Sequence, residues 1–159
     1  MVPPATFTSA PMPLPPLAGV KAFYRADLLF YDVDQTGASY RAAVFFDNPG
    51  ATQDTPEDAE HGFAGAFSIF GKGGCFGDEG HCIPRAPQHR FDRRPPHPAL
   101  PTLKVVRVTE AVRGLLARGL TEATVTLVPT LADTAGVEIE GDFEHPIQFS
   151  QLGLVTYDS

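Results

Sequence analysis

The chain predicts a mainly β fold: an antiparallel β-sandwich or jelly-roll-like barrel with one short α-helix. Three observations predict it. Six or seven short runs rich in Val, Ile, Thr, Tyr and Phe are separated by clusters of Gly, Pro, Asn and Asp, the punctuation of strands joined by turns. Only one stretch, residues 110–118, carries its apolar residues at helical spacing. The 159 residues show no internal repeat and suffice for one domain with a real core.

Residues 1–19 hold Pro3, Pro4, Pro11, Pro13, Pro15 and Pro16. Proline lacks a backbone donor and favours extended conformation, so this segment reads as a linker, or as an arm laid along a surface. Residues 20–159 form the predicted β domain. In its first strand, residues 20–34, Ala22, Tyr24, Ala26, Leu28 and Phe30 alternate with Lys21, Phe23, Arg25, Asp27 and Leu29. Residues 35–39 turn the chain, and Tyr40–Phe46 returns as a second strand before the turn signal of residues 47–50. An acidic loop at residues 53–60 leads into a strand over residues 63–70, with Phe63, Gly65, Phe67 and Ile69 on one face. Residues 71–101 carry six prolines and no periodicity, and a loop of that length in a compact domain is expected to be functional or pinned. A strand over residues 103–108 follows. Thr109 is placed to cap a helix at 110–118, with Val112, Leu115 and Leu116 on one side and Gly119 at its end. The β-branched run 124–128 is expected to stop at Pro129, and residues 137–140 and 147–157 supply the last strands.

Composition excludes some functions. A formal charge of −7 opposes nucleic-acid binding, which needs a concentrated basic surface; the cluster Arg85, Arg90, Arg93 and Arg94 is interrupted by prolines and Asp92. No apolar run approaches the ~20 residues that cross a bilayer, and the first ten residues lack the charged and apolar regions of a secretory signal. Localisation stays open. The absence of Trp weighs against a carbohydrate-binding β domain.

The order of several segments resembles a known family. The run 40–48, the stretch 55–71 with its Phe-Ala-Gly-Ala-Phe strand, the strand–helix pair 103–116, the strand 124–129 and the close at 154–157 together look like the C-terminal β domain of type-3 copper proteins. These are the tyrosinases, catechol oxidases and molluscan haemocyanins. The resemblance covers roughly residues 20–157. It implies a non-catalytic companion to a separate helical dicopper domain, in the same polypeptide or another chain, whose copper entrance this domain shields and whose latency it maintains. Copper then belongs to the partner domain, and phenol oxidation is carried there. The proline-rich N-terminal segment would connect core to lid. No copper ligand transfers to this chain: His61, His81, His89, His97 and His145 include no i, i+4 pair on a predicted helix.

The 71–101 segment lies outside that family pattern and carries the chain's distinctive chemistry. Cys75 and Cys82 flank Gly77 and Gly80, and His81 directly precedes the second cysteine. Glycines let so short a loop turn back, so a disulfide is sterically accessible; closing about eight residues would contribute on the order of 2.5 kcal/mol in the chain-entropy account. Alternatively, two thiolates and the His81 imidazole, completed by His89 or His97, suit a soft metal such as zinc, or Cu(I) in transit to a partner. Two ordinary thiols are the third possibility. A Cys82–His81 nucleophile pair is disfavoured, because sequence neighbours in a loop do not face each other. Phe76, between glycines and off any strand pattern, is a candidate plug for a covered pocket.

Other features carry blander expectations. Asp54, Glu57, Asp58 and Glu60 lack the spacing of a calcium loop and read as a solvated acidic loop. Phe45, Phe46, Phe63, Phe67 and Phe70 are expected in the core, and His61 at the surface or hydrogen-bonded. The functional expectation is a lid or shielding domain of a tyrosinase-like oxidase. A copper-delivery module using Cys75 and Cys82, and a metal-free interaction domain, stand as alternatives.

Overall fold

The computed structural model describes residues 4–16, 23–71, 90–91, 100–132 and 144–158. The elements in chain order are β1 (Phe7–Thr8), β2 (Met12–Pro13), β3 (Arg25–Val33), β4 (Tyr40–Phe46), β5 (Phe63–Ile69), β6 (Thr102–Arg107), α1 (Thr109–Ala117), β7 (Glu122–Ala123), β8 (Val125–Leu131) and β9 (Gln151–Tyr157). They form antiparallel sheets ordered β1-β8-β4-β5 and β6-β3-β9, with a small β2-β7 pair beside them. The fold is mainly β with a single short helix among the described residues, and the sheets stay open rather than closing into a barrel.

The two larger sheets pack face to face. Ala26, Leu28 and Phe30 of β3 meet Ala42 and Val44 of β4, Phe67 of β5 and Leu127 of β8 in one buried cluster. Phe30 stacks against Phe67 with ring centroids 4.9 Å apart. Each such fully buried Leu or Phe contributes roughly 1.5–3 kcal/mol relative to exposure. Strand β4 is buried on both faces, because the loop after it folds back so that Ala51 and Phe63 cover Ala43, Phe45 and Val128. The proline-rich N-terminal residues lie along the β8 edge, with Phe7 opposite Leu127 and Thr8 opposite Thr126.

Several local expectations are corrected. Thr109 is the first helical residue rather than the cap. Val108 occupies the cap position without a side-chain hydrogen bond, while the Thr109 hydroxyl oxygen accepts from the Ala26 amide at 3.0 Å. With the Val108 amide donating to the Ala26 carbonyl at 2.8 Å, this ties the helix start to β3. Pro129 does not end its strand: β8 runs through it to Leu131. Its carbonyl accepts from the Gln53 side chain at 2.7 Å, which places that edge of the residue away from β4, where a missing amide donor goes unused. Phe70 is 83% exposed, whereas Phe45, Phe46 and Phe67 are buried and Phe63 is half-buried. Residues 147–150 precede β9 rather than extending it, although Ile147 and Phe149 pack on the core. The strand expected at residues 137–140 lies outside the described residues.

Helix α1 forms for the anticipated reason. Val112, Leu115 and Leu116 are buried on one side, and Glu110 in the first turn suits the positive end of the helix dipole. Its end is a Schellman motif: Gly119, at φ +79°, donates to the Leu116 carbonyl, and Leu120 donates to the Leu115 carbonyl.

Candidate functional site

Every residue singled out from the distinctive loop lies outside the described residues: Cys75, Phe76, His81, Cys82, His89 and His97. What is described is the footing of that segment. The Gly71 amide donates to the Ser39 hydroxyl at 3.0 Å, and the Gln35 side chain donates to the Leu100 carbonyl. Gly71 also abuts the backbone of Gly37 and Ala38 so closely that a Cβ would lie 2.1 Å from the Gly37 carbonyl oxygen. The turn after β3 therefore grips both flanks of the segment, at one end of the sandwich.

Beside that footing lies an apolar sheet face. In the β6-β3-β9 sheet, Leu29 pairs with Val105 on one side and Gly153 on the other, and these residues point away from the core. Tyr31, Leu103 and Val105 are exposed on this face, Leu103 and Val105 at 51% and 47%. Leu100, just before β6 and bound through its carbonyl to Gln35, is exposed as well. An alternating antiparallel strand normally presents polar residues outward, so Leu103 and Val105 depart from the pattern of a solvated face. The same face holds the buried Asp27 carboxylate, whose two oxygens accept from Arg25 Nε at 2.9 and 2.8 Å, while the Arg25 guanidinium lies 5.3 Å from the Tyr157 ring centre.

A second feature is a cleft of about 690 Å³ between α1 and the start of β5. Phe46, Phe63, Ala64 and Leu115 give it apolar walls; Ala111 and Gly114 present the open side of the helix; Tyr24, Arg107 and Arg118 stand around it. The loop on its far side is held by local chemistry. Asp58 accepts from the His61 amide at 3.0 Å and bonds the His61 ring at 2.7 Å, which holds the Asp58 carboxyl below its ordinary range. Asn48 donates to the His61 carbonyl at 2.9 Å. Gly62, at φ +81°, donates its amide to the Ala59 carbonyl and lies against β4, where a Cβ would come 2.3 Å from the Phe46 carbonyl oxygen. His61 is thus the hydrogen-bonded surface residue the sequence suggests.

Sequence reasoning passed over Tyr24, Arg107, Gly114 and Arg118. The available signal was that Ala111, Gly114 and Arg118 share one helix face, but a short small-residue stretch acquires meaning only once β5 is placed opposite. Among the described residues, no group of three or more His, Cys, Asp or Glu side chains is arranged to hold a metal ion. No helix among them is long and apolar enough to cross a membrane.

No family model, no curated protein and no solved structure matches this chain.

Proposed function

We propose that this chain is a non-catalytic accessory domain of a tyrosinase-type dicopper phenol oxidase, regulating access to the copper site of a helical partner domain. The action is steric. The outer face of the β6-β3-β9 sheet docks on the partner, and the 71–101 segment lies across the copper entrance until it is displaced or removed. The observation that carries this reading is the exposed apolar face of Leu103, Val105 and Tyr31 beside the footing of that segment. Apolar side chains on an outward sheet face are what a docking surface requires. The segments resembling the type-3 copper proteins' β domain include β4, β5, β6, α1 and much of β8, so the likeness falls on framework elements rather than on scattered loops.

The test adds this chain to a tyrosinase-type helical copper domain freed of its own β domain. Phenol oxidation is expected to fall on addition, and Leu103→Asp with Val105→Asp is expected to restore it, since both positions are exposed and their substitution leaves the core intact. Equal turnover with and without the chain overturns the proposal. In the same preparation, thiol alkylation and Cu(I) titration address the alternative: stoichiometric Cu(I) uptake abolished by Cys75→Ser would assign the chain to copper delivery instead.

A further inference from the structure

We infer that the cleft between α1 and β5 is a binding site for a small organic anion, an acid head on an apolar body. Its volume of about 690 Å³ is that of a small-molecule site, and its walls are the aromatic and aliphatic surfaces of Phe46, Phe63, Ala64 and Leu115. Gly114 faces open space: a Cβ built there meets nothing within 4 Å. Burial of an apolar body against these walls supplies the affinity.

Charge supplies the selectivity. Arg107 and Arg118 line the cleft together with Glu110, and neither arginine has an ion-pair partner among the described residues. The acids beside them are already engaged. Asp27, the cross-strand partner of Arg107, is bound by Arg25, and Glu110 accepts from Arg113 at 2.7 Å. Two exposed arginines without ion pairs at the cleft, where Glu110 is held by Arg113, raise the local concentration of anions, and a carboxylate is the head group that guanidinium geometry fits. A neutral ligand of the same shape would leave that potential unused. This inference does not rest on the proposed docking of the sheet face.

The test titrates the ¹⁵N-labelled chain with octanoate, octan-1-ol and acetate, followed by backbone amide shifts. Octanoate is expected to saturate, with the largest shifts at Gly62, Ala64, Ala111 and Gly114. Octan-1-ol is expected to bind about tenfold more weakly or worse, the usual difference when a charge-assisted hydrogen bond is lost, and acetate not to saturate. Arg118→Gln should reduce octanoate affinity about tenfold while leaving octan-1-ol unchanged. Gly114→Leu fills the open side and should abolish binding of both. Equal affinity for octanoate and octan-1-ol, shifts centred on the β6-β3-β9 face, or unchanged binding in both variants overturns the inference.

Discussion

Two glycines line the same cleft, and the structure predicts opposite consequences for the same substitution. Gly62 sits at φ +81°, where an L side chain costs about 1–2 kcal/mol, and its new Cβ would lie 2.3 Å from the Phe46 carbonyl oxygen. That oxygen belongs to the backbone of β4 and cannot rotate aside, so the loop must move, at a further cost of about 1–3 kcal/mol by analogy with overpacked cores. Gly62→Ala is therefore expected to destabilise by about 2–5 kcal/mol, a fall in Tm of roughly 4–20 °C for a domain of this size. Gly114 lies within α1, with no atom within 4 Å of its Cβ position. Gly114→Ala should stabilise by about 0.8–1 kcal/mol through helix propensity alone, raising Tm by roughly 2–4 °C. Urea denaturation monitored by far-UV circular dichroism, with Tm by calorimetry, reads both. If Gly62→Ala changes stability by less than 0.5 kcal/mol (roughly the scatter of surface substitutions), or both variants move in the same direction, the conformational account of the loop beside β5 is wrong.

Tyr40 gives a stabilising prediction of another kind. Its side chain is 3% exposed, its hydroxyl has no hydrogen-bond partner among the described residues, and burial pushes the phenol pKa up. Tyr40→Phe keeps the ring against Phe67 and should stabilise by about 1 kcal/mol or more; a comparable loss in urea denaturation would show that the hydroxyl is satisfied. Acid should loosen the loop from Thr52 to Gly62. Glu57 is held below its ordinary pKa by hydrogen bonds from Arg41, and Asp58 by hydrogen bonds from His61. For a depressed carboxyl, the stabilisation is complete above the unfolded pKa and is lost as pH falls through the folded one. Both groups are exposed, so the effect is expected to be local: faster exchange of the Phe63 amide, which donates to the Asp58 carbonyl, below pH 4 than at pH 6 once intrinsic exchange is subtracted. Unchanged protection across that range contradicts it.

Much of the framework was legible because its signals are local. Tyr40–Phe46 is a short apolar run bounded by turn residues, and the helix shows both its apolar spacing and its Gly119 stop. The failures share a cause: each depended on what lay across from the residue. Pro129 is tolerated because its side of β8 faces Gln53 instead of a strand. Thr109 forgoes capping because the β3 backbone offers its hydroxyl a partner 83 residues away. The cleft was illegible for the same reason, since neither Arg107 nor Arg118 is unusual until Asp27 and Glu110 are seen to be engaged elsewhere.

Arg107 connects the two surfaces and allows them to be separated experimentally. It ends β6 on the outward side, in the same row as Leu103 and Val105, and it also lines the cleft. A partner docked on the sheet face would therefore approach one of the two charges that draw an anion into the cleft. Three variants then give three patterns. Val105→Gln, which adds no charge beside Arg107, should weaken docking on a copper domain and leave octanoate binding unchanged. Arg118→Gln should weaken octanoate binding about tenfold and leave docking unchanged. Arg107→Gln should weaken both, and the docked complex should bind octanoate with altered affinity, because a group shared by two sites couples them in both directions. If Arg107→Gln behaves like Arg118→Gln in every assay, the sheet face and the cleft are independent, and a partner on the one leaves the other unaffected.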